Sequence, residues 1–266
     1  MNDGLEILVG QGQGGAVNLA RAIRHNGYRV TLTTTQWPRD EFIRHESNYV
    51  FARGPPGAEP NYFGEGGNVL VGNGFLLCGD GISNIARESR SIPPSDFLGD
   101  NGPEKLEAAH STLASAYRNF FSDTRIHVIP TGKCDGIGHN HIDMSVLLLN
   151  NSKIVYFDAH HNRIGLALPC LQRAAQSEGL SLRVMDDHAS EVWYPLNALV
   201  LDGASEDLVY VDSKATALRA ALKKDGVRAI AVDLPQHYDP CGKQNCMTNT
   251  ICFDDKDRIL RRLAAG

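Results

Sequence analysis

The chain has 266 residues, of which 42% are hydrophobic and 21% are charged, a composition typical of an ordinary folded protein. Its formal net charge of −5 argues against nucleic acid or an anionic membrane surface as the main partner. No stretch approaches the roughly 18 apolar residues that a membrane span needs. The opening residues, MNDGLEILVG, lack the basic region of a signal peptide.

The cysteines do not form the dense pattern of a disulfide scaffold. They stand at positions 78, 134, 170, 241, 246 and 252. In a chain of this length without an export signal, we expect them to be reduced thiols and expect a cytoplasmic location.

Short β-rich runs alternate with helical ones along the chain. In order, we predict a strand at LEILVG, a helix at GAVNLARAIRHNG, strands at YRVTLTTT, NYVFAR and NVLVGNGFLLCG, a helix at PEKLEAAHSTLASAYRNFF and a strand at RIHVIPTG. A hairpin at HIDMSVLLLNNSKIVYFDA and a helix at GLALPCLQRAAQSEG follow. The last third has paired strands at EVWYPLNALVLDGASEDLVYVD, a helix at SKATALRAALKKDG and a strand at VRAIAVDL. The recurring order strand, strand, helix, strand predicts one α/β domain, residues 1–266, built from similar modules.

A glycine pattern near the start resembles a dinucleotide-binding fingerprint. Gly10, Gly12 and Gly15 satisfy G-x-G-x-x-G between a strand and a helix. The next strand, however, ends in TLTTTQ instead of the acid that binds the ribose. We therefore predict no dinucleotide cofactor.

The segment GHNHIDMSVLLLN places His139, His141 and Asp143 on alternate positions. On a strand these side chains share one face, where they suit a metal ion. The pattern is similar to the H-x-H-x-D-H of metallo-β-lactamase-like hydrolases, but Met144 replaces the last histidine and a strand follows it. We predict no metal here, and two surface histidines remain an alternative.

Two further segments have residue types suited to chemistry. In GEGGNVLVGNGFLLCG, Glu65 precedes two glycines that permit close approach of backbone or ligand, although a surface glutamate before a hairpin is the simpler interpretation. In CGKQNCMTNTICF, Cys246 lies in a polar loop, whereas its rival Cys241 is flanked by turn residues.

Taken in order, these motifs resemble the guanidine-modifying, or pentein, superfamily, which includes arginine and agmatine deiminases, dimethylarginine dimethylaminohydrolase and amidinotransferases. GEGGNVLV is similar to that family's E-G-G-D/N strand, GHNHIDMSVLLL to its G-H-x-D strand, and NCMTNTI to its nucleophile loop. EVWYPLNALVLDG is similar to the Tyr-Pro-x-Asn stretch of the dimethylarginine hydrolases. The resemblance implies a five-bladed, pseudo-symmetric α/β propeller of ββαβ-type modules.

The resemblance also implies roles for individual residues. Cys246 is the expected nucleophile, His141 the general acid and base, and Asp143 and Glu65 the carboxylates that bind the guanidinium. His139 has no implied role. Further substrate-binding candidates stand within or beside the same motifs: Asn48, Arg53, Asn68 and Asn245.

One position departs from the family pattern. A further carboxylate follows the strand before E-G-G in the family, as in F-x-R-D, but the strand NYVFARGPPG has Gly54 there, preceded by Arg53. We expect Asn48 to replace the missing acid and to lie near the reactive centre.

The expected activity is hydrolysis of a C–N bond in a small guanidino compound, through a covalent S-alkylthiouronium and without a cofactor. An amidinotransferase is an alternative, which the short chain disfavours. A non-catalytic guanidine-binding protein and a zinc hydrolase using His139 and His141 are the others. The sequence leaves a homodimer open.

Overall fold

The computed structural model describes most of the chain. The described residues are 4–11, 15–46, 48–51, 66–80, 102–131, 141–162, 165–185, 192, 194–203, 205–234 and 244–265.

The described elements are short strands and mostly short helices. The strands are β1 (Leu5–Gly10), β2 (Arg29–Thr33), β3 (Phe42–His45), β4 (Asn48–Phe51), β5 (Val69–Val71), β6 (Phe75–Gly79), β7 (Arg125–Ile129), β8 (Val146–Leu149), β9 (Ile154–Asp158), β10 (Ser181–Met185), β11 (Leu199–Asp202), β12 (Asp207–Asp212), β13 (Arg228–Val232) and β14 (Thr248–Cys252). The helices are α1 (Ala16–His25), α2 (Pro38–Glu41), α3 (Gly102–Arg118), α4 (Ala167–Glu178), α5 (Thr216–Lys224) and α6 (Lys256–Ala265).

A single plan recurs in four of the five sheets of the described chain. In β5-β6-β7, β8-β9-β10 and β11-β12-β13, the first two strands pair antiparallel and the last two pair parallel. A helix, α3, α4 or α5, connects each parallel pair, as a parallel connection requires. The predicted order of strand, strand, helix and strand is confirmed in these sheets.

The sheet β14-β1-β2 follows the same plan with strands from opposite ends of the chain. β14 pairs antiparallel with β1, β1 pairs parallel with β2, and α1 connects the parallel strands. The register sets Val9 opposite Thr248, and the Gly10 amide donates to the Met247 carbonyl at 2.9 Å. The residues just before β14 are therefore fixed against β1.

The remaining sheet is the antiparallel pair β3-β4, which α6 covers. Ile259 of α6 is buried in one cluster with Phe42 of β3. The guanidinium of Arg262 stacks 4.0 Å from the centre of the Phe51 ring. These contacts bury one face of a sheet that two strands alone would leave marginal.

A cavity of about 350 Å³ is bordered by one strand from each of the five sheets. These strands are β3, β5, β8, β11 and β14. The lining also includes Arg39, Asp143 and Asn245. One strand of every described sheet thus faces a common space that reaches the Asp143 side chain.

The expectation that His141 and Asp143 stand at the start of a strand is wrong. Ile142–Met144 form a 3₁₀ turn, in which the Met144 amide donates to the His141 carbonyl at 3.2 Å, and β8 begins only at Val146. Each residue of such a turn rotates the chain by about a third of a circle, so alternate residues do not share one face.

The described residues also bear on the expectations about membrane spans and cysteines. Within those ranges, no helix has the length and apolar character needed to cross a bilayer. The described cysteines, Cys78, Cys170, Cys246 and Cys252, are free thiols.

Candidate active site

Cys246 lies in the turn immediately before β14 and is 1% exposed. Thr248 holds this turn: its hydroxyl donates to the Gln244 carbonyl at 2.8 Å, and its amide donates to the Asn245 carbonyl at 3.1 Å. Because β14 is paired along its length with β1, the thiol has a fixed position inside the protein.

The Cys246 thiol has two polar side chains as neighbours. It donates to Asp143 Oδ2 at 3.4 Å and accepts from Asn197 Nδ2 at 3.2 Å. Asn197 is fully buried, and its amide nitrogen also lies 3.3 Å from the Asp143 carbonyl. Asn197 therefore connects the cysteine turn to the 3₁₀ turn that carries Asp143.

The Asp143 carboxylate is 1% exposed and is the centre of the cluster. Its Oδ2 accepts from Asn245 Nδ2 at 2.8 Å as well as from the thiol. Its Oδ1 is buried without a hydrogen-bond partner within the described protein. A buried carboxylate oxygen without a donor is costly, so this atom is suited to an N–H group of a bound molecule.

His141, two residues before Asp143 in the sequence, is 6% exposed. A ring nitrogen of His141, a carboxylate oxygen of Asp143 and the sulfur of Cys246 all lie within 4.8 Å of one another. The structure thus brings together three of the four residues that we expected to be catalytic.

Both glycines of the E-G-G motif are required by close contacts. A Cβ on Gly66 would overlap the Arg39 carbonyl oxygen. A Cβ on Gly67 would lie 2.5 Å from His141 Nδ1 and 3.2 Å from Asp143 Oδ2. The second glycine therefore makes room for the histidine and the aspartate.

Asp40 is an acidic group of this site that our sequence interpretation missed. Its Oδ1 accepts from the Gly67 amide at 3.0 Å and lies 3.9 Å from His141 Nδ1. Asp40 ends the segment Trp-Pro-Arg-Asp, residues 37–40, which fits the F-x-R-D pattern with Trp37 for phenylalanine. The resemblance predicted this pattern in a later strand, where Gly54 stands in place of the acid.

The predicted role of Asn48 as a replacement acid stays a prediction, and Asp40 supplies a second carboxylate near His141. Asn48 is exposed and pairs with His45 where β3 and β4 meet. A substrate contact of Asn48 stays a prediction that none of its described contacts supports.

The other substrate-binding candidates lie in different surroundings. Asn245 contacts Asp143, as described above. Asn68, the residue before β5, is fully buried, and its Nδ2 donates to the carbonyl of Gly79 at the end of β6 at 2.8 Å. The remaining sequence candidates lie outside the described residues: Arg53, Gly54, Glu65, His139 and Cys241.

Burial dominates the electrostatics of the cluster. Burial raises the pKa of the Cys246 thiol well above its usual value, and the carboxylates of Asp143 and Asp40 raise it further. Burial also raises the pKa of Asp143, against the opposing influence of His141 and Asn245. The resting state therefore favours a thiol over a thiolate.

A thiol, an imidazole and a carboxylate at this spacing are also compatible with a metal ion. In this structure the sulfur and the carboxylate are instead held by the amides of Asn197 and Asn245. The alternative of a zinc hydrolase requires His139 and His141 as metal ligands. Of these two histidines, His139 lies outside the described residues.

Comparison with known proteins identifies the fold. No family model and no curated protein sequence matches the chain. Among solved structures, it is similar to SxtG, an amidinotransferase of the saxitoxin pathway from Microseira wollei, with a TM-score of 0.61 and 15% identity over 92% of this chain and 93% of that one. It is also similar to DDAH from Pseudomonas aeruginosa in complex with citrulline, with a TM-score of 0.56 and 10% identity over 92% and 98% of the two chains.

A third similar structure is the N-terminal domain of ArgZ, a cyanobacterial arginine dihydrolase, bound to its product. Its TM-score is 0.61, with 12% identity over 93% of this chain and 97% of that one. These proteins all belong to the pentein superfamily, so the expected resemblance is confirmed at the level of the fold.

We expect alkylation of Cys246 by iodoacetamide to be slow at pH 7 and to accelerate as the pH rises, because the buried thiol has a raised pKa.

Replacing Asp143→Asn removes a negative charge beside the sulfur, lowers the pKa of the thiol and should accelerate alkylation about tenfold at pH 8. Mass spectrometry of the peptide that contains Cys246 measures the rate. Asp225→Asn is the control, since its carboxylate contacts Tyr156 and Arg183 instead; equal rates in all three proteins would contradict the assigned contact.

We expect Gly67→Ala to displace His141 and Asp143, because the added Cβ has no room beside either side chain. The rate at which 2-chloroacetamidine alkylates Cys246 should fall tenfold or more, on the order of the loss that displacing a reacting group by about 1 Å causes. Gly165→Ala is the matched control, since nothing lies within 4 Å of its added Cβ. Wild-type rates in both variants would show that Gly67 is not needed to position the site.

Proposed function

We propose that this chain is a thiol-dependent enzyme that acts on the guanidino carbon of a small molecule, with Cys246 as the nucleophile. The observation that carries the proposal is the buried thiol, which lies 3.4 Å from Asp143 Oδ2 and within 4.8 Å of a His141 ring nitrogen. A nucleophile, an acid–base group and a carboxylate at such spacing are the parts that covalent catalysis requires.

The carboxylates favour a planar cation as the substrate. Asp40 and Asp143 both lie close to His141, and Asp143 keeps one oxygen without a donor. A guanidinium offers several N–H donors in one plane, and carboxylates bind it through charge-assisted hydrogen bonds. Glu65, the further carboxylate that the resemblance implies, remains a proposed binding residue.

In the first half of the reaction, the thiol proton passes to His141 and the sulfur attacks the guanidinium carbon. The positive charge of the bound substrate favours the thiolate that the empty site disfavours. His141 then gives the proton to the departing nitrogen, the C–N bond breaks, and an S-alkylthiouronium remains on Cys246.

In the second half, His141 takes a proton from water as the oxygen bonds to the same carbon. The C–S bond breaks with its electron pair on sulfur, and a ureido product leaves. These steps use only side chains of the chain and water, so no cofactor is part of the proposal. Substitution of an amine for water in this half would make the protein an amidinotransferase.

Hydrolysis is our leading proposal, and amidino transfer is a second candidate, which the structural similarity to an amidinotransferase supports. The argument that the chain is too short for a transferase is wrong, because it covers 93% of the amidinotransferase SxtG. The hydrolases DDAH and ArgZ have similar structures, so length and fold do not separate the two reactions.

The five-bladed ring remains part of the proposal. It is supported by the cavity that one strand of each described sheet borders. In such a ring, Cys246 before β14, Asp143 before β8 and Gly67 before β5 meet because each precedes a strand that borders the cavity.

We expect the purified protein to release ammonia, an alkylamine or a ureido product from at least one of arginine, agmatine, methylarginines and acylated arginines. Each compound should be assayed with and without an acceptor amine, since product that appears only with the amine identifies a transferase. Cys246→Ala should abolish turnover because the nucleophile is lost, whereas Cys241→Ala should retain it.

Two results would contradict the proposal. Turnover that survives in Cys246→Ala but not in Cys241→Ala would reassign the nucleophile. Binding detected as a thermal shift, without product under any condition, would indicate a guanidine-binding protein that lacks catalysis.

A further inference from the structure

Arg39 has contacts that the proposed reaction does not use. Its backbone amide lies 3.4 Å from the Cys246 carbonyl, and its Nη2 donates to the Val69 carbonyl at 2.5 Å. Arg39 also borders the same cavity as Asp143 and Asn245. Its guanidinium is therefore anchored to β5, while its backbone contacts the cysteine turn.

The Arg39 guanidinium is a half-buried cation that borders the same cavity as Asp143. Burial lowers its pKa, while nearby negative groups, Asp143 first among them, raise it. An arginine remains protonated in proteins even when its pKa falls, so this charge persists. Its Nε is buried without a hydrogen-bond partner in the described protein.

The charges of the described cluster nearly balance. The carboxylates of Asp40 and Asp143 carry negative charge, and Arg39 offsets one of them. The excess over these three groups is a single negative charge, so Arg39 weakens the attraction of the described carboxylates for a guanidinium. Without Arg39 the same pocket would attract a cation more strongly and would disfavour a negatively charged sulfur more strongly.

We propose that Arg39 is a positioning residue that sets the charge balance of the site, lowering its affinity for a guanidinium while supporting the negative sulfur that attacks it. This inference rests on the proposed function, because it takes Cys246 as the nucleophile and a guanidinium as the ligand. It makes a prediction that a structural role alone does not: loss of the Arg39 charge should strengthen cation binding and slow the chemistry at once.

The test compares two reagents of nearly equal shape, cationic 2-chloroacetamidine and neutral 2-chloroacetamide. Both alkylate the same sulfur, so the ratio of their rates is independent of how much thiolate is present and reports the attraction of the site for a cation. In Arg39→Gln we expect both rates to fall and the amidine-to-amide ratio to rise several-fold to about tenfold, because the repulsion between the Arg39 guanidinium and the bound cation is lost. Arg39→Lys, which keeps the charge, should keep the ratio.

Arg44→Gln is the matched control. Arg44 borders the same cavity, but its charge acts on Asp255, so its loss should leave the ratio unchanged. Arg39→Met is a second neutral variant that keeps an apolar stem, in case the glutamine amide prevents folding. Thermal unfolding of each variant shows whether it is folded.

The outcomes separate the two proposals. If the unmutated chain shows no preference for the amidine at Cys246, the proposed function is wrong, and this inference fails with it. If the preference is present but is unchanged or reduced in folded Arg39→Gln and Arg39→Met, Arg39 is only structural and the inference alone is wrong. A higher ratio with lower rates, restored in Arg39→Lys, supports it.

Discussion

The contact between the Cys246 thiol and the Asp143 carboxylate is the interaction on which the site depends. Both groups are almost fully buried, and a carboxylate beside a thiol opposes formation of the thiolate. Burial of such a pair is unfavourable unless polar groups compensate for the lost water. The amides of Asn197 and Asn245 supply hydrogen bonds, and the charge of Arg39 supplies electrostatic compensation.

This arrangement keeps the nucleophile in its less reactive, protonated form when no ligand is bound. Burial and the neighbouring carboxylates raise the pKa of the thiol and so favour its protonated form, which limits its reaction with other electrophiles. A cation that occupies the space beside Asp143 changes that balance, because it favours the ionised forms of both groups. In the proposed reaction, the substrate charge therefore provides both binding and activation, and the proposed role of Arg39 is to limit the first while supporting the second.

The sequence predicted the modules and part of the site, and its errors have physical causes. Repetition of strand, strand, helix and strand was visible because apolar periodicity reports local structure. Cys246, His141 and Asp143 meet as their motifs implied, but through a 3₁₀ turn that the alternating pattern did not indicate. The turn is stabilised by tertiary contacts, such as the Asn197 amide near the Asp143 carbonyl, and local propensity does not contain them.

Asp40 was missed for a different reason. Its segment has a proline at the start of a short helix, whereas we had looked for the acid at the end of a strand. The close approaches at Gly66 and Gly67 explain why glycines follow Glu65, yet which groups approach them depends on α2 and the 3₁₀ turn. Asn197 also depends on pairing between distant segments, since 49 residues separate it from Cys246.

The most direct test of the central claim is to look for a bond between Cys246 and the guanidino carbon. The protein is mixed with a guanidino compound that it turns over or binds, quenched in acid within milliseconds to seconds, digested and analysed by mass spectrometry. The account predicts an amidino adduct, with the substituent that the substrate retains, on the peptide containing Cys246, and no such adduct in Cys246→Ser. Turnover without an adduct on Cys246 at any quench time, together with an active Cys246→Ser protein, would contradict it.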